Sequence, residues 1–260
     1  MIKACFFDID GTLVSHTLKK VPESTLRSLI ALREKGIKIF MSTGRHLQEL
    51  GKLPLEGIRF DGYVTLNGQL CADNEKKIIY RRPLQEAETK ALLEIFEGKK
   101  EPLMLVEENR LYVNFINDTV RRAQEEISTP LPEVAPYDGA PVYMAVAFIR
   151  AHEEEGFKPL LPKGCKMTRW GSGGVDIISQ KGGKVAGLER MMDAYQLRRE
   201  EIMAIGDGEN DIDMLRFAGI GIAMGNAPSQ VKETADYVTD HIDEDGVMRA
   251  LKHFGLIGEK

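Results

Sequence analysis

The sequence predicts an α/β protein whose parallel sheet, with helical crossovers, is interrupted by an inserted α+β segment. Near both ends of the 260-residue chain, short apolar runs alternate with amphipathic segments, which is the pattern of a parallel sheet. Between about residues 83 and 180, neighbouring strands and segregated helices are predicted instead. We therefore predict one core from 1–82 and 181–260, with 83–180 as a second, inserted domain.

The N-terminal part predicts three strands and one helix. The run "IKACFFDI" is continuously apolar, as buried parallel strands are. Pro22 and Ser24 introduce a helix in "STLRSLIALREKG", which Gly36 ends. Its apolar residues recur at helical spacing: Leu26, Leu29, Ile30 and Leu32. The second and third strands are "IKIFMSTG" and "FDGYVTLNG", the latter closing in an Asn-Gly turn.

The remaining elements follow from the same patterns. In the inserted segment we predict helices in "EAETKALLEIFEG", in "NDTVRRAQEEI" and from near His152, and strands in "LMLVEE", "RLYVNF", "VYMAVAFI", "KMTRW" and "VDIIS". The last part predicts helices in "KVAGLERMMDAYQL", from about Asp211 and from Pro228-Ser229, and strands in "EIMAIG", "GIGIAMG" and "DYVTD". The alternation of strand and helix thus resumes after Lys184.

Composition narrows the functional class. The net charge of -5 argues against nucleic acid or a membrane surface as the main partner. The three cysteines, Cys5, Cys71 and Cys165, are odd in number and widely spaced, which predicts free thiols in a reducing compartment. No signal peptide and no apolar run of membrane-spanning length is recognisable. We therefore expect a cytoplasmic protein.

Polar clusters follow the predicted core strands. In open parallel sheets, ligands bind beyond the carboxyl ends of the strands, so these clusters are expected to converge. They are Asp8 with Asp10, Ser42 with Thr43, Lys184, and Asp207 with Asn210 and Asp211.

Asp8 and Asp10 end the first strand one residue apart. Like charges at this spacing repel unless a cation or a shared proton intervenes. "DG" is also common turn chemistry, so the pair could simply cap or turn the chain. In the functional interpretation, one carboxylate attacks a phosphate as a nucleophile and the other transfers protons. Mg²⁺, which prefers carboxylate and phosphate oxygens, would relieve the repulsion.

The stretch "GDGENDIDML" carries a second set of carboxylates. Asp211 lies four residues after Asp207, so the first helical turn brings it near Asp207. A glycine-rich loop with an N-terminal cap accounts for one acidic residue, but poorly for three when Asp213 is included. A metal ion accounts for the surplus better, with Asp207 as a ligand and Asp211 as a ligand or its support.

Two further residues are candidates for holding phosphate. Thr43 ends a strand in "STGR", where its hydroxyl and neighbouring backbone N–H groups, such as that of Gly44, could hold phosphate oxygens. Hydroxyl residues at strand ends also commonly satisfy only the backbone. Lys184 in "KGGKVAG" could reach a phosphate or lie solvated at the surface, and Arg45 is equally open.

In this combination and order, the residues resemble the haloacid dehalogenase superfamily of phosphohydrolases. "FFDIDGTLV" is similar to its first motif, "FMSTGR" to its second, "KGGK" to the lysine of its third and "GDGENDIDM" to its fourth. "TLNGQ", "AMGNA" and "IDEDGV" resemble the Cof-type subgroup, closest to bacterial members that act on hexose phosphates. The resemblance spans essentially the whole chain. It departs at "QKGGK", where Gly182-Gly183 is expected to make the lysine loop more flexible.

The resemblance implies a Rossmann-like core, a large α/β cap that sets substrate choice, and a Mg²⁺-dependent phosphatase that works through an aspartyl-phosphate. It implies Asp8 as nucleophile and Asp10 as acid/base. The implied metal residues are Asp8, Asp10 through its carbonyl, Asp207 and Asp211. Those for phosphate are Thr43, Gly44, Lys184 and Asn210, with Arg45 and Asn67 as candidates for the substrate. The partner is a phosphorylated small molecule, and we expect a monomer or weak homo-oligomer.

Two other functions stay open at this point. A phosphosugar mutase would use the same intermediate but return the phosphate to a second hydroxyl group. A catalytically silent, phosphosugar-binding regulator would keep the fold, although the intact set Asp8, Asp10, Lys184 and Asp207 counts against it. In the inserted segment, Tyr112 and Trp170 could stack on a sugar, but we predict that they pack in the core.

Overall fold

The computed structural model describes residues 1–55 and 57–258. The chain forms two compact units. The core unit comprises Met1–Arg81 and the chain from Gly183 onward, and the inserted unit comprises Arg82–Gly182. These boundaries lie one residue before and two residues after the predicted insertion at 83–180.

The described residues contain fourteen strands and eight α-helices, joined by loops and short 3-10 turns. The strands are β1 (Ala4–Phe7), β2 (Lys38–Ser42), β3 (Gly62–Thr65), β4 (Leu70–Asp73), β5 (Ile78–Arg81), β6 (Leu103–Glu107), β7 (Leu111–Val113), β8 (Glu133–Val134), β9 (Val142–Ala147), β10 (Cys165–Arg169), β11 (Val175–Ser179), β12 (Ile202–Gly206), β13 (Ile220–Ala223) and β14 (Tyr237–Val238). The helices are α1 (Glu23–Glu34), α2 (Glu86–Gly98), α3 (Asp118–Glu126), α4 (Glu154–Phe157), α5 (Lys184–Tyr195), α6 (Ile212–Phe217), α7 (Ser229–Lys232) and α8 (Gly246–His253).

The core unit is built on one sheet with the strand order β14-β13-β12-β1-β2-β3-β4-β5. The six strands from β14 to β3 run parallel, which confirms the predicted parallel-sheet core. The hairpin β4–β5, for which no strands were predicted, adds an antiparallel edge. The chain reverses after β3 because residues 66–68 all have positive φ.

Strand β1 lies at the centre of this sheet, and all four of its side chains are buried. Side chains of a strand point alternately to opposite faces. Cys5 and Phe7 accordingly pack into one hydrophobic cluster with α1 and α8. Ala4 and Phe6 pack into another with α5 and α6. The sheet is therefore covered on both faces, as a continuously apolar central strand requires.

Helix α1 departs from its predicted apolar face at one residue. Leu29 and Leu32 are buried as predicted, but Ile30 is 53% exposed. Successive positions of a helix lie about 100° apart, so Ile30 points away from the face that Leu29 presents to the core. Gly36, with φ +73°, follows the helix in the left-handed conformation that suits a C-terminal stop.

The inserted unit is an α+β unit, as predicted. Its six-stranded sheet has the order β10-β11-β9-β6-β7-β8 and is antiparallel except at β7–β8. Tyr112 is fully buried and donates a hydrogen bond to Glu107 (2.6 Å), which confirms its predicted core position. Trp170 is half-buried.

One predicted helix of the inserted unit is wrong in its extent. The charged helix expected from His152 is instead a 3-10 turn (Ala151–Glu153), the four-residue helix α4 and a second 3-10 turn (Lys158–Leu160). Gly156 lowers the helix propensity here, and Pro159 removes a backbone donor. Of the helices that the structure describes, none combines the length and the apolar character needed to cross a membrane.

Candidate active site

The site lies where adjacent parallel strands of the core sheet end. Asp8 follows β1, Thr43 follows β2 and Asp207 follows β12. Since β1 pairs in parallel with both β2 and β12, these three ends are neighbours. Carboxylate oxygens of Asp8, Asp207 and Asp211 come within 4.8 Å of one another. We call these three residues the acidic cluster. The predicted convergence of the polar clusters thus occurs in the structure.

Lys184 is the first residue of α5, and its ammonium is buried inside this cluster. Its Nζ donates to Asp8 Oδ1 (2.6 Å), Asp211 Oδ1 (2.6 Å) and the Ser42 carbonyl oxygen (2.8 Å). An ammonium has three donors, so all three are used. Burial alone would lower the pKa of Lys184, but Asp211 and Asp8 outweigh it and raise that pKa. Lys184 is therefore a charged internal residue and not a solvated surface lysine.

Asp211 is fully buried, and both of its oxygens are engaged. While Oδ1 accepts from Lys184, Oδ2 accepts from the backbone N–H groups of Asp207 (3.0 Å) and Gly208 (2.8 Å). A Cβ at Gly206 would lie 2.4 Å from Asp211 Cγ, so glycine is needed for this approach. Asp211 thus fixes the loop that carries Asp207 and anchors Lys184 from the other side.

Asp8 and Asp207 carry more negative charge than their surroundings neutralise. Burial, followed by the neighbouring carboxylates, raises the pKa of Asp8 well above its ordinary value despite Lys184. Burial and Asp211 raise the pKa of Asp207 to about 7, although Thr12 donates to its Oδ1 (2.9 Å). Three buried carboxylates share one ammonium here. A bound divalent cation would offset the surplus negative charge.

Asp10 makes a separate ion pair. Arg45 donates from Nε to Asp10 Oδ2 (2.6 Å) and from Nη2 to Asp10 Oδ1 (2.8 Å). This two-point geometry fixes the carboxylate plane. From the sequence, Arg45 could be either a solvated surface residue or a substrate contact. Nothing in the sequence indicates that it contacts Asp10, 35 residues away.

The loop after β2 is tied down by its own polar groups. The N–H of Thr43 donates to the Val64 carbonyl (2.9 Å), and its hydroxyl accepts from the N–H of Arg45 (3.1 Å) across Gly44. Thr43 is buried. Its hydroxyl therefore satisfies a backbone N–H group, which is one of the two roles that the sequence allows for it.

Asn67 and Asn210 meet beside this loop. Asn210 Nδ2 donates to Asn67 Oδ1 (3.0 Å), and the N–H of Asn67 donates to the Thr43 carbonyl (3.0 Å). Asn67 lies in a turn of three successive left-handed residues, with Leu66 at φ +51°, Asn67 at φ +50° and Gly68 at φ +83°. A Cβ on Gly68 would lie 2.1 Å from the carbonyl oxygen of Gly183. The turn therefore packs directly against the residue that precedes Lys184.

Two residues with no predicted role complete the surroundings of Asp207. Thr12 binds one carboxylate oxygen, and Asn226 Nδ2 donates to the other (3.1 Å). Both stand in stretches already singled out, "FFDIDGTLV" and "AMGNA". The sequence motifs thus include Thr12 and Asn226, but a single sequence does not indicate which acidic residue they contact.

Comparison with known proteins identifies the family of this chain. Residues 5–251 match the haloacid dehalogenase-like hydrolases. The chain belongs to this family. Among relatives of this haloacid dehalogenase-like hydrolase, YkrA of Bacillus subtilis (strain 168) is 31% identical over 258 residues, which are 98% of each protein.

Two solved structures of the superfamily resemble the whole chain. The phosphatase BT1666 of Bacteroides thetaiotaomicron is 33% identical with a TM-score of 0.89, over 99% of this chain and 96% of that one. The subclass IIB sugar phosphatase BT4131 is 37% identical with a TM-score of 0.89, over 98% and 100%. The predicted resemblance, the α/β fold and the class of phosphatase hydrolase are confirmed for this haloacid dehalogenase-like protein.

Proposed function

We propose that this protein is a Mg²⁺-dependent phosphatase that hydrolyses small phosphate monoesters, foremost hexose phosphates, through an aspartyl-phosphate at Asp8. The observation that carries the proposal is the position of Asp8. It ends the central strand, accepts a hydrogen bond from the buried Lys184 and faces Asp207 and Asp211. The likeness to BT4131, a sugar phosphatase, supports the choice of substrate class.

The acidic cluster fits a hard divalent cation. Its ligand atoms are carboxylate oxygens within 4.8 Å, which suit Mg²⁺. Asp8 and Asp207 would hold the ion, together with the Asp10 carbonyl that the family resemblance implies. Asp211 would support them, because Lys184 and two backbone N–H groups already occupy its oxygens. When bound, the ion would neutralise charge on the phosphate and the carboxylates.

The first step forms the covalent intermediate. A carboxylate oxygen of Asp8 attacks phosphorus, and the bond from phosphorus to the sugar oxygen breaks. A protonated Asp10 gives its proton to that departing oxygen. In the protonated side chain of Asp10, the oxygen that carries no proton can still accept one of the two hydrogen bonds from Arg45. Lys184 donates to Asp8 and opposes the rise that burial causes in its pKa, which favours the carboxylate, the form that attacks.

The second step returns the enzyme to its starting state. A water molecule attacks phosphorus, and Asp10, now ionised, accepts a proton from that water. The bond from phosphorus to Asp8 breaks, which releases inorganic phosphate and restores the Asp8 carboxylate. Thr43, Gly44 and Asn210 are proposed to hold phosphate oxygens, and Lys184 is proposed to supply positive charge beside them. Such positioning and charge stabilisation dominate phosphoryl transfer.

The inserted unit is proposed to select the substrate. Residues 83–180 interrupt the core between its second and third motifs, as the cap of the Cof-type subgroup does. Arg45 and Asn67 of the core unit are proposed to contact the substrate next to the phosphate. Buried free thiols at Cys5, Cys71 and Cys165 support a reducing, cytoplasmic location. We propose a monomer or weak homo-oligomer.

Measuring phosphate release with Mg²⁺ over a panel of hexose phosphates, pentose phosphates and nucleotides tests the proposal. We expect hexose phosphates to give the highest kcat/KM and Asp8→Asn to abolish turnover nearly completely. Asp193→Asn is the matched control, because its side chain is 73% exposed on the same helix as Lys184. Activity that survives Asp8→Asn would exclude this nucleophile. An isomerised sugar phosphate without phosphate release would indicate a mutase, and binding without turnover a regulator.

A further inference from the structure

Asn226 connects Asp207 to the loop that follows Asp10. It lies in the loop after β13, and its Nδ2 donates both to Asp207 Oδ2 (3.1 Å) and to the Gly11 carbonyl oxygen (2.8 Å). We infer that Asn226 is a positioning residue that fixes Asp207 for a divalent cation and ties it to the loop that carries Asp10. This inference rests on the proposed function, in which Asp207 holds the cation.

The orientation of the Asn226 amide follows from its partners. The Gly11 carbonyl and the Asp207 carboxylate only accept, whereas the N–H of Ile242 only donates, and it reaches Asn226 Oδ1 (3.1 Å). The NH₂ group must therefore face Asp207. Ile242 begins the stretch "IDEDGV", so the contact unites it with "AMGNA". Neither stretch has another role in the proposed reaction.

The backbone around Asn226 is held from both sides. The N–H of Met224 donates to the carbonyl of Gly206, the last residue of β12 before Asp207 (3.0 Å). The N–H of Gly225 donates to the Asp240 carbonyl (3.0 Å), and a Cβ at Gly225 would lie 2.5 Å from the backbone nitrogen of His241. Only glycine permits this approach. The loop therefore presents Asn226 at a fixed distance from the end of β12.

The partner loop is equally close. Gly11 has φ +84°, and a Cβ there would lie 2.1 Å from Asp207 Oδ2. The turn after Asp10 thus passes directly over the carboxylate of Asp207. Asn226 bridges the two groups at the point where they meet, since one NH₂ group reaches both the Gly11 carbonyl and Asp207 Oδ2.

The donors on Asp207 differ in kind from those on the other two carboxylates. Asp8 and Asp211 each accept from the ammonium of Lys184. Asp207 accepts from the hydroxyl of Thr12 and the amide of Asn226, which carry no charge. These donors orient both oxygens without pairing Asp207 with a positively charged side chain. Loss of such a hydrogen bond to a metal-binding carboxylate typically weakens metal affinity by about 10–100-fold.

Titration calorimetry with Mg²⁺ tests this role on the full chain. We expect Asn226→Ala to raise the Kd for Mg²⁺ at least about tenfold, while KM for substrate at saturating Mg²⁺ changes little. Asn74→Ala is the matched control, because Asn74 is exposed in the β4–β5 turn of the same unit. Its Kd for Mg²⁺ should equal that of the unaltered protein.

Further arms separate positioning from folding. Melting temperatures without Mg²⁺ report stability, and Asn226→Ser, which keeps a small polar side chain, replaces the alanine variant if that variant does not fold. A lower melting temperature with an unchanged Kd for Mg²⁺ would overturn the inference. Asp207→Asn serves as the reference. If Asp207→Asn and Asn226→Ala both bind Mg²⁺ as the unaltered protein does, the proposed metal site is refuted as well. If Asp207→Asn binds Mg²⁺ weakly but Asn226→Ala binds it normally, only the role of Asn226 is refuted.

Discussion

Arg45 holds both carboxylate oxygens of Asp10, at 2.6 Å from Nε to Oδ2 and 2.8 Å from Nη2 to Oδ1. The Arg45 side chain is only 10% exposed, so little solvent competes for this pair. A carboxylate held at two points presents its oxygens in one orientation. Arg45 thus orients Asp10 in its ionised form, which is the form proposed to accept a proton from water.

We therefore predict that Arg45→Lys lowers kcat at least about tenfold, because lysine cannot form the two-point contact and general acid catalysis contributes about 10²–10⁴-fold. The Kd for Mg²⁺ should stay unchanged. Steady-state kinetics and calorimetry measure these two quantities. Arg27→Lys, exposed on α1, is the control. A rise in KM at constant kcat would show that Arg45 acts only through its proposed contact with the substrate and not by orienting Asp10.

Removing the Lys184 ammonium should destabilise the core unit. Lys184→Met keeps the length of the side chain but leaves Asp8 and Asp211 without their cation, and breaking a buried ion pair costs about 3–5 kcal/mol. The free energy of unfolding in urea, measured without Mg²⁺, should fall by about this amount. Added Mg²⁺ should restore part of it. Lys181→Met, at an exposed position, should change little, and equal stability of both variants would refute the pairing.

Alanine substitutions at Gly11 and Gly36 separate the effect of crowding at Asp207 from the effect of backbone strain. Both have positive φ, but a Cβ at Gly11 would lie 2.1 Å from Asp207 Oδ2, whereas one at Gly36 would have no described heavy atom within 4 Å. Each alanine substitution costs about 1–2 kcal/mol of left-handed strain. Only Gly11→Ala should also weaken Mg²⁺ binding, by at least about tenfold if Asp207 is displaced. Equal Mg²⁺ affinities would contradict the close approach.

The three thiols should be inert in the folded protein. Burial raises the pKa of Cys71 and of Cys165 to about 12 and that of Cys5 further. Because a raised pKa suppresses the thiolate, which is the reactive form, little of it exists at pH 8. We expect a disulfide reagent such as DTNB to label none rapidly in native protein and all three in urea. Rapid native labelling would show that a cysteine is accessible.

Glu201 should contribute to stability in a pH-dependent way. Arg198, followed by Lys3, lowers its pKa to about 2. A lowered folded-state pKa gives stability that is present above the unfolded value and is lost as pH falls towards 2. Thermal melts between pH 7 and 2.5 should therefore show a smaller acid dependence for Glu201→Gln than for the unaltered protein. Glu200→Gln, whose side chain is 65% exposed, is the control and should retain the full dependence.

Most of the core could be read from the sequence because its strands are apolar runs bounded by turn residues. β1 and β12 are predicted within one or two residues on this basis. The edge strands β4 and β5 have only four residues each, and β5 exposes the apolar Ile79, so apolar residues do not mark a buried face there. The charged segment from His152 predicts a helix, but Gly156 and Pro159 interrupt it.

For the site, residue types were predictable and contacts were not. Spacing alone suggested that Asp211 would approach Asp207, because four residues make about one helical turn. No spacing rule links Asp10 with Arg45 or Asp207 with Asn226, which the sheet topology alone brings together. The assignment of catalytic, metal and phosphate roles to these residues stays a prediction.

At Leu66, in the left-handed turn beside Asn67, backbone strain and side-chain burial make opposing contributions to stability. Glycine there would relieve about 1–2 kcal/mol of strain, but it would remove a fully buried leucine whose burial stabilises by about 1.5–3 kcal/mol. The chain keeps the strained residue because the core holds its side chain. Design methods that relax strained backbone positions should therefore leave residue 66 alone, since its buried side chain anchors a turn whose N–H groups donate to the carbonyls of Arg45 (3.2 Å) and Thr43 (3.0 Å).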